Sequence, residues 1–217
     1  MYNFPENYSI SKIQISLTGT VILCALALLF NLATSYFLDD VLHVPLFMDT
    51  IGTVAVVFYA GLVPGLFVAA LYNVLRFMLA LLAGNPAYPW NMMYALCGLA
   101  IAFSTWLFSY RNREMGHTRT ITVLFLILIA LVSAFASSLI GASIETSQRL
   151  IFGNQIPPSP IQNFVMVFLD GNIGLFFACF VTRIPVTVLD RIICTFAGWG
   201  LYLILKKITF HAKMNYE

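Results

Sequence analysis

Charged side chains are scarce in this chain of 217 residues: they make up 9% of the sequence, and hydrophobic residues make up 60%. A soluble domain carries about 25% charged residues, so this composition argues against an ordinary soluble enzyme or binding module. The net charge is only +2, and the basic residues form no aromatic-interleaved patch of the kind that nucleic-acid binding uses. We therefore expect a polytopic membrane protein with no nucleic-acid partner.

Recognisable catalytic and metal-binding motifs are also missing. The four cysteines fall in apolar stretches without paired metal spacing, at Cys24, Cys97, Cys179 and Cys194. There is no Gly-rich phosphate loop, no His-Glu-x-x-His helix and no Gly-x-Ser-x-Gly elbow. Glu114 and Glu145 stand singly, so no carboxylate pair at helical spacing is available for acid–base chemistry. We expect a protein that is not an enzyme and that uses no cofactor or metal.

Long apolar stretches are what the sequence does have. Seven of them follow one another along the chain, at 13–38, 47–60, 62–83, 90–110, 120–143, 161–182 and 186–205. A helix needs ~20 apolar residues to cross a bilayer, and nothing suggests a separate soluble domain. The sequence therefore predicts an all-α membrane bundle that occupies residues 1–217 as one domain.

Basic residues flank these stretches and predict their orientation. They precede the first stretch at Lys12, fill the loop at 111–119 and follow the last stretch from Lys206 onward. The positive-inside rule places all three regions in the cytoplasm, and we expect a retained N-terminus because no signal-peptide pattern opens the chain. Two cytoplasmic termini cannot be reconciled with seven crossings. We expect six transmembrane helices in a bacterial inner or plasma membrane, plus an irregular or re-entrant element at 161–182, where Asp170, Gly171, Asn172 and Gly174 interrupt the apolar pattern.

The stretch 47–60 is too short to cross about 30 Å of hydrocarbon as a helix. Its outer end carries Asp49 and Thr50, so we expect this end to meet water or a polar pocket.

Arg76 lies within an apolar stretch, where a guanidinium costs at least ~2.5 kcal/mol unless it has a partner, a wet cavity or a ligand. Asn73, one helical turn away, shares its face. The sequence leaves two interpretations open: a structural ion pair with Asp49, Asp170 or Asp190, or a contact with a ligand.

Two further groups of polar residues are candidates for a binding site. The loop between the third and fourth stretches carries Asn85, Tyr88, Trp90 and Asn91. Its aromatic residues fit either an interfacial anchor or a pocket wall, whereas clustered amides favour a pocket. Near the last stretch, adjacent residues of a helix do not share a face, so we expect Asp190 to point inward together with Thr187, and Arg191 to point elsewhere.

The order of these features resembles the substrate-binding S components of energy-coupling factor (ECF) vitamin transporters. A short second helix opens with Asp-Thr-Ile-Gly at 49–52, and a glycine-rich turn at 60–65 precedes the helix of Arg76. A polar outer loop, a basic inner loop and a sequence at 184–193 that looks like a proline-led start of the final helix then follow. The resemblance covers nearly the whole chain as an order of features.

The family's first helix typically carries Ala-x-x-x-Ala, a small-residue face for docking the coupling subunit. This chain has Ser16, Thr20 and Cys24 at the same spacing, and small residues four apart permit close approach of helices. The resemblance thus implies docking through an altered face.

The resemblance implies a subunit that captures a small water-soluble vitamin or related heterocycle at the outer face. Uptake would be driven by a separate transmembrane coupling subunit and two ATPase subunits, since the chain has no nucleotide motif of its own. The residues expected to bind substrate are Asp49, Asn73, Arg76, Asn85, Tyr88, Trp90, Asn91, Thr187 and Asp190. The alternative is a membrane-embedded ligand sensor that signals to a separate partner.

Overall fold

The structure, a computed structural model, describes residues 16–42, 44, 46–84, 89–110, 115, 118–153 and 160–214, without the side chains of 39–40, 160–163 and 210–214. This described part contains seven α-helices and no strand, which confirms the all-α bundle. The helices are α1 (Leu17–Tyr36), α2 (Ile51–Ala60), α3 (Leu62–Leu82), α4 (Ala95–Tyr110), α5 (Arg119–Phe152), α6 (Pro160–Asp170) and α7 (Leu175–Met214). A π-helical turn, Phe37–Val41, follows α1, and a 3₁₀ helix, Pro89–Tyr94, leads into α4.

Five helices in the described residues are long and apolar enough to cross a membrane: α1, α3, α4 with its 3₁₀ extension, α5 and α7. The sixth predicted crossing is the short stretch around α2. Its ten-residue helix is about 15 Å long, and the five irregular residues at 46–50 add at most ~17 Å. Helix and irregular segment together can match about 30 Å of hydrocarbon.

All ten residues of α2 are buried, because α1, α3, α4 and α7 pack around it. Glycine permits the closest approaches. A Cβ on Gly52 would lie 2.6 Å from the carbonyl oxygen of Ala27, and one on Gly198 would lie 2.7 Å from Val54 Cγ1. Close packing of small residues substitutes in a bilayer for the hydrophobic driving force that water supplies to soluble bundles.

The end of the chain differs from the prediction of two separate stretches. Residues 161–182 do break where expected, since α6 ends at Asp170 and Asn172 adopts a left-handed φ of 58°. However, α7 begins at Leu175 and continues for 40 residues with Pro185 in its interior. The prediction that the final helix starts at this proline is wrong. Proline is tolerated inside a transmembrane helix because neighbouring groups can satisfy the carbonyl that loses its partner.

Apart from α6, successive helices run in opposite directions. The C-terminal ends of α1, α3 and α5 therefore lie at the same end of the bundle as the N-terminal ends of α2, α4 and α7. Thr34 of α1 contacts Met48 before α2, and Arg183 of α7 contacts Glu145 of α5 and Tyr94 before α4. We call this the predicted outer end, because the sequence assigns it to the exterior. The opposite end carries the turn at Gly61, the C-terminal end of α4 and the C-terminal part of α7. There the Tyr110 hydroxyl donates to the Phe58 carbonyl, and the hydroxyls of Tyr59 and Thr209 share a hydrogen bond.

Candidate functional site

Two groups of charged side chains lie buried toward the predicted outer end. The first, which we call the aspartate–arginine cluster, consists of Asp49, Thr50, Asp190 and Arg191. Arg191 Nη2 lies 2.6 Å from Asp190 Oδ2 and donates to Asp49 Oδ1 at 3.2 Å, while Nη1 donates to Thr50 Oγ1. The backbone N–H of Met48 donates to Asp190 Oδ1 at 2.8 Å. The irregular segment before α2 is thereby fixed to the middle of α7.

Both Asp190 and Arg191 are buried, with exposed fractions of 0% and 4%. The prediction that only Asp190 points inward is therefore wrong for Arg191. The physical reason is that the irregular segment before α2 provides partners for both side chains: the N–H of Met48 for Asp190, and Asp49 and Thr50 for Arg191. Each ion compensates for part of the other's desolvation, which is severe for an unpaired buried charge.

Asn31 of α1 organises the beginning of α2 beside this cluster. Its Oδ1 accepts from the backbone N–H of Gly52 at 2.7 Å, and its Nδ2 donates to Thr53 Oγ1 at 3.0 Å. The N-cap residue Thr50 makes no capping bond of its own. Asn31 thus satisfies one of the N–H groups that a helix start leaves without an intrahelical acceptor.

A chain of hydroxyl and guanidinium groups extends from α1 to α3. The Tyr72 hydroxyl donates to Ser35 Oγ at 2.8 Å, and Arg76 Nη1 donates to the Tyr72 oxygen at 3.3 Å. The hydroxyl of Tyr72 also lies within electrostatic range of Asp49. The polar face predicted around Arg76 therefore borders the aspartate–arginine cluster. Asn73 lies on the same helix, where its amide contacts the carbonyl of Ala69 at 3.5 Å.

The second group, the arginine–glutamate cluster, consists of Tyr94, Glu145, Arg149 and Arg183. Glu145 Oε1 accepts from Arg149 Nε at 3.2 Å and Nη2 at 2.9 Å. Its Oε2 accepts from Arg183 Nε at 2.8 Å, and Arg183 Nη2 lies 2.7 Å from the same oxygen. Arg183 also donates to the Tyr94 hydroxyl at 3.0 Å. One carboxylate thus serves two guanidinium groups.

Glycine makes room for this cluster between α5 and α7. A Cβ on Gly141 would lie 2.9 Å from Arg183 Nη1, so the guanidinium passes over a position that any other residue would crowd. Arg183 lies about 35 Å along α7 from Lys206, at a rise of 1.5 Å per residue. Arg191 lies about 22 Å from the same lysine. The second cluster is therefore nearer the predicted outer boundary than the first.

Several buried donors in this region have no hydrogen-bond acceptor among the described residues. They are Arg149 Nη1, Arg191 Nε, Trp90 Nε1 and the hydroxyls of Ser138 and Thr146 on α5. Buried polar groups in native proteins are almost always hydrogen-bonded, and unmet donors of this kind mark a place for water or a ligand. The Trp90 ring packs edge-on against Phe152, with 6.0 Å between the ring centroids.

Cys97 of α4 faces α5, where its thiol donates to the carbonyl of Ser137 at 3.5 Å. Arg183 of one cluster and Arg191 and Asp49 of the other are near enough to act on this thiol electrostatically. Within the part of the chain that the structure describes, no three His, Cys, Asp or Glu side chains gather as a metal site would require.

The structure brings some of the predicted site residues together and leaves others apart. Asp49 and Asp190 meet in one cluster, and Thr187 is buried one turn before Asp190. Arg76 reaches the Tyr72 hydroxyl beside that cluster, whereas Asn73 contacts the Ala69 carbonyl of its own helix. Trp90 carries an unmet donor near the second cluster, whereas Asn91 is exposed. Asn85 and Tyr88 lie outside the described residues.

The predicted docking residues occupy the beginning of α1. Ser16 caps the helix, accepting from the N–H of Gly19 at 3.1 Å, and Thr20 donates to the Ser16 carbonyl. Cys24 is buried and contacts the Pro64 carbonyl, so it belongs to the inward face of α1 and is not open to a partner. The outward face of this helix is apolar, with Leu17, Val21 and Leu29 among its most exposed residues.

Sequence reasoning missed Asn31, Tyr94, Arg149, Arg183 and Arg191 as members of a buried polar region. A usable signal was present for one pair: Glu145 and Arg149 stand four residues apart, a spacing that places two helix residues side by side. Asn31 is a lone amide in an apolar helix, and its capping role depends on a helix that lies elsewhere in the sequence.

Comparison with known proteins finds no matching family model, no matching curated protein and no matching solved structure.

Proposed function

We propose that this chain is the substrate-specific binding subunit of an ECF-type importer. It captures a small water-soluble vitamin or related heterocycle at the outer face of the cell membrane. The observation that carries the proposal is the pair of buried charged clusters near one end of an otherwise apolar bundle. Ionisable residues at such depth are expensive and mark substrate or ion pathways by default.

The unmet donors add support. A ligand pocket uses a few polar groups to orient a ligand among apolar walls, and the region between α3, α4, α5 and α7 offers guanidinium, indole and hydroxyl groups in that setting. The sequence contains no nucleotide-binding motif, which is why the proposal assigns energy conversion to a coupling subunit and two ATPase subunits.

The first experiment tests ligand capture. The protein is purified from membranes in detergent and denatured, and the released small molecules are identified by mass spectrometry. A molecule present at about 100 times its dissociation constant should add ~2.7 kcal/mol to the free energy of unfolding. Arg76→Ala should lower retention of that molecule, whereas Arg119→Ala, at the exposed opposite end of the bundle, should not. Absence of any retained or stabilising molecule would refute the binding function.

The second experiment tests the partner. The chain is co-expressed with a coupling-factor module, and co-purification and uptake of the identified molecule are measured. A bulky residue at the start of α1, Thr20→Trp, should reduce co-purification and leave ligand retention intact. Leu124→Trp on the exposed side of α5 is the matched control and should change neither. Uptake without any coupling module would contradict the proposed division of labour.

A further inference from the structure

The arginine–glutamate cluster has an excess of positive charge. Arg149 and Arg183 share Glu145, so the three groups sum to +1 when all are ionised. No other carboxylate among the described residues lies within 4 Å of either guanidinium. An uncompensated charge removed from water is unfavourable by several kcal/mol, so the cluster as it stands lacks one negative charge.

The missing charge has a defined place. The side chain of Arg149 is 2% exposed, and its Nε and Nη2 are both taken by Glu145 Oε1. Its Nη1 finds no acceptor in the described part of the protein. A guanidinium presents its donors as a rigid planar fork that matches carboxylate and phosphate oxygens. The side of the fork that Glu145 leaves open is therefore directed at an acceptor that the described residues do not supply.

A second unmet donor lies at the same end of α5. Phe152 follows Arg149 by three residues, so the two side chains are neighbours on the helix surface. The ring that packs against Phe152 belongs to Trp90, whose Nε1 is likewise buried without an acceptor among the residues described. Arg149 belongs to α5 and Trp90 to the 3₁₀ helix before α4. Two separate segments therefore each direct a donor without an acceptor into this region.

We propose that the arginine–glutamate cluster binds the anionic group of the transported molecule, a carboxylate or a phosphate, through Arg149 Nη1 with Trp90 Nε1 as a second donor. This inference rests on the proposed binding function and narrows its substrate class to organic anions. Glu145 holds the two arginines in position and leaves them one positive charge in excess. The anion restores neutrality, and the rings of Trp90 and Phe152 form an aromatic wall beside it.

Small probes separate the two anion chemistries. Thermal unfolding of the detergent-purified protein is followed at constant ionic strength with inorganic phosphate, glycerol phosphate, acetate and benzoate, and with the neutral analogues glycerol, acetamide and benzamide. We expect one anion class to raise the melting temperature saturably, while its neutral analogue does not. Stabilisation by the phosphates alone, or by the carboxylates alone, would identify which anionic group the cluster binds.

Variants locate the effect. Arg149→Gln should raise the dissociation constant of the stabilising anion about tenfold or more, since a hydrogen bond to a charged group is lost. Arg149→Lys keeps the charge and should recover part of the affinity, and Trp90→Phe keeps the ring and should weaken binding severalfold. Arg119→Gln removes a charge from the far end of the same helix and should change nothing. If Arg149→Gln does not fold, the Lys and Phe variants carry the test.

The outcomes distinguish this inference from the function on which it rests. Equal effects of anions and neutral analogues, unchanged affinity in Arg149→Gln, or a neutral molecule released from the purified protein would overturn the anion site and leave the binding subunit standing. An anionic molecule whose retention needs Arg149 would support both. A protein that retains no molecule and responds to no probe would overturn both.

Discussion

The backbone N–H of Met48 donates a 2.8 Å hydrogen bond to Asp190 Oδ1. Met48 has a φ of 39°, a left-handed conformation that is uncommon for residues other than glycine. Its carbonyl accepts from Thr34 Oγ1 at 2.8 Å. Both polar groups of one strained peptide segment are therefore held by side chains of α1 and α7, which is how irregular backbone is kept within a membrane bundle.

Asp190 combines this hydrogen bond with its ion pair to Arg191, and substitution can separate the two roles. Asp190→Ala removes both and should cost about 3–5 kcal/mol, the range for breaking a buried ion pair. Asp190→Asn retains an oxygen for Met48 and should be less damaging by about 1 kcal/mol. Unfolding in mixed micelles with increasing SDS measures both. Equal losses would show that the Met48 contact contributes nothing.

Asn31→Ala removes the acceptor of the Gly52 N–H and the donor to Thr53. The change leaves buried polar groups without partners, so we expect a loss of about 1–3 kcal/mol in the free energy of unfolding. Ser143→Ala is the control, because the Ser143 hydroxyl is exposed and bonds to its own helix; surface changes of this kind stay within about 0.5 kcal/mol. Similar values for the two variants would refute the capping role of Asn31.

Two glycines of α7, Gly198 and Gly200, allow a test of how closely α7 packs against α2. Gly198→Ala would place a Cβ 2.7 Å from Val54 Cγ1 and 3.0 Å from the Ile51 carbonyl oxygen, whereas Gly200→Ala meets nothing within 4 Å. We expect Gly198→Ala to destabilise by about 1–3 kcal/mol through overpacking. Gly200→Ala should be neutral or stabilising by up to about 1 kcal/mol, since alanine favours the helix. Melting temperatures in detergent report the contrast, and the reverse order would contradict the buried position of α2.

Much of the fold follows from patterns that are local in sequence. The shortness of the stretch at 47–60 predicted a short second helix with a polar start at Asp49, and α2 begins two residues further on, at Ile51. The glycines and Asn172 predicted the interruption that precedes α7. Pro185 led to the wrong start for the final helix, because proline locally favours the end of a helix. The structure shows that α7 continues through Pro185 where other helices pack around it. Continuity of α7 was therefore not readable from the residues near 185.

The site was harder to predict, because its members are distant in sequence. Glu145 looked isolated in the sequence, but the packing of α5 against α7 brings Arg183, 38 residues later, to within 2.7 Å of it. Adjacent residues Asp190 and Arg191 were expected to diverge, but both side chains reach the irregular segment at 48–50 that lies beside α7. Helix packing, which spacing alone does not determine, decided both cases.

The direction of the bundle in the membrane is a prediction from the positive-inside rule, and cysteine labelling tests it. Asn91 and Thr118 are both exposed and lie at opposite ends of α4 and α5. Three of the native cysteines are buried and Cys97 is half-buried, so their background reaction with a membrane-impermeant maleimide should be low. Asn91→Cys should be labelled in intact cells, and Thr118→Cys only after permeabilisation. Labelling of Thr118→Cys but not Asn91→Cys in intact cells would invert the protein and place both charged clusters toward the cytoplasm.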